Sequence, residues 1–256
     1  MAVLEVAALT KIYEGKIATK ALDGVSFRIH EGEFVGIMGP SGSGKTTLLN
    51  VIATIDEPTS GAVTLNGQDP HRMTREQTAL FRRRELGFIF QHFNLLDTLT
   101  AEENIVLPLT LDGVSIPDMK AKALEMARRL GIQGILPKYA YELSGGQMQR
   151  TAIARAMIHE PSLILADEPT GNLDSKASRD VMDAFAAMNE SHRATILMVT
   201  HDALAASFCH RVIFIKDGKL YNEIYRGDNR QAFFQKIIDM MSLLGGDSHD
   251  LSSIRL

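Results

Sequence analysis

A mixed α/β fold with a parallel core sheet is predicted by three observations. Apolar runs of strand length alternate with amphipathic runs of helical length along the chain. GEFVGIMG and PSLILADEP are apolar almost throughout, as strands buried on both faces are. The first leads through a glycine-rich segment into the helical pattern TTLLNVIAT, the strand–loop–helix order of a phosphate-binding loop.

Each element carries its own signal. VLEVAALTKIY and KALDGVSFRI read as strands of an N-terminal antiparallel β subdomain, with Asp23-Gly24 as a turn. GEFVGIMG is a buried strand ending in glycine, and GAVTLNG adds a short one. After LGFIFQ the pattern changes. IPDMKAKALEMARRLG starts with Pro117 in its first turn, stops at Gly131 and sets Met119, Ala123, Met126, Ala127 and Leu130 on one face. The spacing predicts an α-helical insert over roughly residues 92–143, carried to about 160 by the next helix. That helix begins at Ser144: Ser144 and Gln147 have the form of a capping box, and Met148, Ala152, Ala156 and Met157 recur at helical spacing. PSLILADEP is then a buried strand, DSKASRDVMDAFAAMNE a helix, ATILMVTHD a strand, and RVIFIKDGKLYNEIY a hairpin turning at Asp217-Gly218. A last helix over about residues 229–244 places Phe233, Phe234, Ile237, Ile238 and Met241 on one side. Residues 247–256 are polar and without pattern and are expected to fray, leaving one domain over 1–246.

Composition narrows the function. The 256 residues, 45% hydrophobic, suffice for one large domain. No apolar run approaches the roughly 18 to 20 residues that cross a bilayer, and MAVLEVAALTK lacks the order of a signal peptide, so a cytosolic chain is expected. A net charge of −4 offers no basic surface for nucleic acid. The single cysteine, Cys209, excludes a disulfide or thiolate cluster and is expected to be a small buried hydrophobe.

The strongest chemical signal is GPSGSGKTT, which fits G-x-x-x-x-G-K-[ST] at Gly39, Gly44, Lys45 and Thr46. Backbone N–H groups from Ser41 through Gly42, Ser43 and Gly44 to Thr47 would wrap β- and γ-phosphates. Lys45 would neutralise the terminal phosphates and the Thr46 hydroxyl would hold Mg²⁺. LILADE supplies the partner site: Asp167 is the expected Mg²⁺ carboxylate, through water, and Glu168 the general base for an attacking water. At Ser144 the glycine-flanked helix start favours an anion that the local sequence leaves unnamed.

The motifs run in the order Tyr13, GPSGSGKT, Gln91, LSGGQ, LILADE, Asp174, His201. In that order, over about 230 of the 256 residues, the chain resembles the nucleotide-binding subunit of an ATP-binding cassette transporter. The resemblance implies a P-loop NTPase cassette fold and Mg²⁺-dependent ATP hydrolysis. It also implies a head-to-tail pair in which LSGGQ of one chain closes over ATP on the other, so that Ser144, Gly145, Gly146, Gln147 and Asp174 act in trans. Tyr13 would stack on adenine, Gln91 would touch Mg²⁺ or the attacking water, and His201 would hold the γ-phosphate and that water. Asp174 also reads as a helix N-cap. Met148 after the signature and Ala140 before it depart from the family pattern without touching chemistry.

EGKIATK after Tyr13, FIFQHFNLLDTLTAEENIVLPL and DEPTGNLDSK are similar to the branch serving macrolide export, lipoprotein release and peptide-antibiotic resistance. RVIFIKDGKLY followed by DNRQAFFQKI looks most like the bacitracin-resistance (Bce-type) ATPases. That likeness implies a large integral membrane permease, a sensor histidine kinase attached through it, and a place at the cytoplasmic face of the membrane. Phe93, Leu95 and Leu96 read either as ordinary core of the insert or as a groove that takes a cytosolic helix of the permease. Arg82, Arg83 and Arg84 read as a solvated helix face or a contact with anionic lipid.

Overall fold

The computed structural model describes residues 2–15 and 17–245, so the expected tail at 247–256 lies outside the described residues. The first half of the chain forms β1 (Ala2–Tyr13), β2 (Thr19–His30), β3 (Phe34–Met38), α1 (Lys45–Ile52), β4 (Ser60–Leu65), α2 (Arg75–Glu85), β5 (Leu86–Ile89) and α3 (Ala101–Leu111). It continues as α4 (Ile116–Arg129), α5 (Gly145–Met157), β6 (Leu163–Asp167), α6 (Ser175–His192), β7 (Ile196–Val199), α7 (Ala203–Ala206), β8 (Arg211–Lys216), β9 (Lys219–Tyr225) and α8 (Arg230–Leu243).

Two sheets result. An antiparallel sheet has the order β2-β1-β4, and a six-stranded sheet the order β5-β6-β7-β3-β8-β9, parallel except for β9. The continuous apolar runs are explained by burial on both faces. In β3, Phe34 and Met38 enter one core while Val35 and Ile37 enter the other, and β6 divides Ile164 and Ala166 from Leu163 and Leu165 in the same way. One core joins the sheet to α3 through α8; the other encloses α1, through Leu48, Leu49, Val51 and Ile52, with the antiparallel sheet. Cys209 lies fully buried in the first core, and burial pushes its thiol well above the ordinary range.

The helices start where local chemistry tells them to. Thr74 with Gln77, Thr100 with Glu103 and Ser144 with Gln147 form reciprocal capping boxes. α4 is capped by Ser115, turns its buried face with Ala123, Met126 and Ala127 inward, and is followed by Gly131 at φ 64. α3 packs on both α4 and α5, which makes the helical insert one packed unit. α8 buries Phe233 and Ile237 against its own chain, beside α7 and β9. No helix of the described residues is long and apolar enough to cross a membrane.

One expectation needs correction. Asp23-Gly24 is not a turn between strands. It lies inside β2 as a bulge, because Leu9 pairs with Val25 and Lys11 with Leu22, with Gly24 at φ 71. The bulge has a use: Asp23 N–H donates to the Gly218 carbonyl at 2.8 Å, in the β8–β9 hairpin turn that Asp217 and Gly218 form as expected. The arginine run is a solvated helix face, as one of its two expected readings had it: Arg82 and Arg84 are exposed and Arg83 is half-buried. Arg82 donates to the Thr54 carbonyl, Arg83 donates to the Leu111 carbonyl and pairs with Asp112, and Arg84 pairs with the same Asp112.

Candidate nucleotide site

The phosphate loop joins the carboxyl end of β3 to α1, and its neighbours allow only glycine at two points. A side chain at Gly39 would place its Cβ 2.0 Å from the Ile215 carbonyl oxygen, and one at Gly44, φ 100, would come within 2.3 Å of the Ala21 carbonyl oxygen. Gly218 N–H donates to the Ser43 carbonyl at 3.1 Å, so the hairpin turn presses on the loop from the other side. Gly44 caps α1 with no side-chain bond, and the first turn holds Lys45, Thr46 and Thr47 without an acidic residue. The N–H groups and the positive end of the helix are therefore left for an anion. Lys45 Nζ donates to the carbonyls of Gly39 and Pro40, each at 2.9 Å. Burial lowers its pKa, opposed by the charges of Glu168 and Asp167.

The strand order brings the other motif residues to the same rim. β5, β6, β7 and β3 are consecutive neighbours and parallel, so Gln91, Asp167 with Glu168, His201 and the phosphate loop all lie at or just beyond their carboxyl ends. Asp167 ends β6 with Oδ1 buried and without a protein partner, and the buried Ser43 hydroxyl also lacks one. Burial, then the neighbouring Glu168, raises the Asp167 carboxyl above its ordinary range, and Lys45 opposes them. Glu168 sits at φ 46, uncommon for a residue with a side chain, with its N–H bonded to the Val199 carbonyl at 2.9 Å. Its carboxylate meets His201 Nδ1 at 3.0 Å and accepts from the His201 N–H at 3.3 Å.

These features fit ATP and a hard cation. A glycine cradle, an uncapped helix start and an orphaned hydroxyl suit a triphosphate, and the orphaned, buried Asp167 oxygen at the same rim suits a hard cation such as Mg²⁺. Among the described residues no group of three or more His, Cys, Asp or Glu could hold a metal by itself.

Tyr13 ends β1 with 41% of its surface exposed. Burial raises its phenol pKa, the Thr47 hydroxyl lowers it and Asp56 raises it, so the ring stands beside the first turn of α1. The signature residues lie elsewhere in the chain. A Cβ at Gly145 would touch Leu173 at 3.1 Å and one at Gly146 would touch Ala177 at 3.2 Å, so the start of α5 packs on the loop and first turn around Asp174. Asp174 caps α6 by accepting from Ala177 N–H at 2.8 Å, and Gln147 Oε1 accepts from the Ser144 N–H at 3.0 Å.

Three features of the site carry no signal in the sequence. Asn172 donates to the Gln91 carbonyl at 2.9 Å and lies 2.9 Å from His92 Nδ1, which ties the loop after β5 to the loop after β6. The absence of a side chain at Gly171 lets Gln91 lie against it, since a Cβ there would be 2.9 Å from Gln91 Nε2. Nothing local in GNLDS signals either pairing. The contact of His201 with Glu168 was also unforeseen, because it depends on β6 and β7 being neighbours.

Comparison with known proteins agrees with this geometry. The family model described as ABC transporter matches residues 22–171. The ABC transporter ATP-binding protein YxdL of Bacillus subtilis is 59% identical over 99% of this chain and 98% of its own length. The bacitracin export ATP-binding protein BceA of Halalkalibacterium halodurans is 50% identical over 98% of this chain and 100% of its own. Among solved structures, a dimeric post-hydrolysis state of the ATP-binding cassette MJ0796 with ADP and Pi superposes with a TM-score of 0.80 at 40% identity, covering 87% of this chain and 98% of that one. A phosphate loop, an acid pair and a signature helix set on this fold thus have one family in common, and the chain belongs to it: it is the ATP-binding, ATP-hydrolysing subunit of an ABC transporter.

Proposed function

We propose that this chain drives an antimicrobial-peptide resistance transporter of the bacitracin type, working as a head-to-tail pair at the cytoplasmic face of the membrane. The observation that carries the chemistry is the Glu168 carboxylate, held by His201 at 3.0 Å at the mouth of the phosphate loop. ATP binds with its phosphates on the backbone of residues 39–47 and Lys45 on the terminal phosphates, and Tyr13 stacks on adenine. Glu168 takes the proton of the attacking water, and His201 orients that carboxylate and the γ-phosphate. Thr46, Asp167 and Gln91 would hold Mg²⁺, which when bound neutralises charge on the phosphates. Ser144, Gly145, Gly146 and Gln147, with Asp174, close the site from the second copy. The dimeric state of the MJ0796 cassette and the export function named for BceA support the pairing and the cargo class.

Permease docking is supported by a cleft of about 560 Å³ between α2, β5, α3 and α5. Leu86, Phe88, Phe90, Leu107 and Leu111 give it an apolar lining, while Phe93, Leu95 and Leu96, from which the groove was expected, do not line it; Leu95 packs on the core, and Arg155 fixes the rim by donating to the carbonyls of Phe93 and Asn94. A sensor histidine kinase is reached through the permease. The test is ATP turnover of this chain purified with the membrane protein of the neighbouring reading frame, in lipid, with Glu168→Gln as blank. Turnover that responds to bacitracin or a lantibiotic supports the proposal. A complex that ignores peptides and responds to a macrolide or lipoprotein sinks the cargo assignment, and failure to co-purify sinks the permease.

A further inference from the structure

Tyr13 is held by more than its strand. Its phenol donates to Asp56 Oδ2 at 2.7 Å, and Asp56 Oδ1 accepts from the Lys11 ammonium at 2.6 Å. Lys11 also donates to the Glu57 carbonyl at 2.8 Å and stands over the Tyr13 ring, 4.8 Å from its centroid. The side chain of Lys11 is only 12% exposed, so one face of the ring is covered by a fixed cation while the residue stays open elsewhere.

Asp56 belongs neither to β1 nor to the phosphate loop. It sits in the segment that leaves the far end of α1, the helix whose near end is the phosphate loop. That segment turns back sharply. Thr54 is a β-branched residue at φ 58, and Ile55 and Asp56 both donate to the Asn50 carbonyl, at 2.9 and 3.2 Å. Arg82 of α2 holds the Thr54 carbonyl at 3.0 Å. Thr59 closes the segment onto β1, its N–H on the Thr10 carbonyl at 2.8 Å and its hydroxyl accepting from the Ile12 N–H at 2.9 Å. The carboxylate is therefore delivered to the phenol by a strained turn whose backbone is tied to α1, α2 and β1, although the Thr54 hydroxyl itself is buried without a partner.

We infer that Asp56, with Lys11, is a positioning residue for the nucleobase. It fixes the Tyr13 ring as a preset platform for adenine, while the triphosphate is bound independently by the phosphate loop. The inference rests on the stacking role proposed for Tyr13. A ring already ordered before the base arrives loses less freedom on binding, so the clasp acts on affinity for the adenosine end and leaves the chemical step alone.

The test is titration of the full-length chain with Mg²⁺-ADP and, separately, with Mg²⁺-tripolyphosphate, which lacks a base. Tyr13→Phe keeps the ring and removes its bond to Asp56; Asp56→Ala removes the bond from the other side. Each is expected to weaken ADP by about 3- to 10-fold, with the double variant no weaker than either single one and tripolyphosphate unchanged. In turnover the loss in Asp56→Ala falls on KM, with kcat at saturating ATP retained. Tyr13→Ala, which removes the platform, should weaken ADP further. Wild-type ADP affinity in Tyr13→Phe beside a clear loss in Tyr13→Ala overturns the role of Asp56 and leaves the stacking role standing. Wild-type affinity in Tyr13→Ala overturns both. Equal loss of ADP and tripolyphosphate in Asp56→Ala shows a general structural effect, and Tyr13→Phe decides the matter if that variant does not fold.

Discussion

The two glycine-marked helix starts of this chain are finished in opposite ways. At α1 the cap is Gly44 with no side-chain bond, the Ser43 hydroxyl and Asp167 Oδ1 are buried without protein partners, and Lys45 is half-buried among backbone carbonyls. At α5 the Ser144–Gln147 box satisfies two N–H groups within the helix itself, and the glycines add no side chain that would keep an anion away. The first end is completed by a ligand. The second is complete as it stands and still presents N–H groups to an approaching phosphate, which suits a surface offered to another chain.

This contrast can be broken at either end, and the largest effect is expected at the acid. Glu168→Gln should lower turnover by about 10²- to 10⁴-fold while ATP binding persists, and should trap an ATP-bound dimer visible by size-exclusion chromatography. Near-wild-type turnover would remove Glu168 from the base role. Gly146→Asp, which adds a negative charge to the start of α5 and crowds it against Ala177, should cost on the order of 10²-fold in turnover with ADP affinity of the single chain unchanged. Because its Cβ meets Ala177 at 3.2 Å, a melting curve must accompany it. If ADP binding fell in parallel with turnover, the division of labour between the two helix starts would be wrong. Ser144→Ala should cost about 1 kcal/mol in denaturant unfolding through loss of the cap, with ADP binding retained. A stability change indistinguishable from zero would mean that the box contributes nothing to α5.

The smallest effect is the most diagnostic of the ligand-completed end. The folded chain holds the Asp167 carboxyl above its ordinary pKa through burial and Glu168, against Lys45. Its contribution to stability is then fully present below the unfolded carboxylate pKa and is lost as pH rises through the folded value. Asp167→Asn should flatten that slope and melt slightly higher near neutral pH, by less than about 1 kcal/mol. Mg²⁺-ADP favours the carboxylate, so its stabilisation of the wild type should grow with pH, and the variant should gain less. A thermal-shift series with and without Mg²⁺-ADP measures both. Equal gain in wild type and Asp167→Asn would take the metal away from this residue.

Features made within one turn or one strand were legible in the sequence. The Ser144 box, the Asp174 cap, the Asp217-Gly218 hairpin and the two-faced apolar strands depend on neighbours a few residues apart. The misread and missed features share a different cause. The bulge at Asp23-Gly24 looks like a turn until it is known that Gly218 stands opposite. Arg82 to Arg84 keep a solvated face, yet nothing in the run itself signals that they reach the Thr54 turn and Asp112. Asn172, the His201–Glu168 contact and the Asp56 clasp all join segments separated by tens of residues, where spacing carries no signal.

The hairpin turn against the phosphate loop bears on how the protein is made. GPSGSGKT leaves the ribosome early, yet β3 is flanked by β7 and β8, and the loop itself leans on Gly218, all from the last third of the chain. A growing chain therefore carries the phosphate-loop sequence long before it carries the surfaces that shape it. Cellular ATP, which stabilises only what it binds, can act as a folding aid for this subunit only after the chain has been made as far as Gly218.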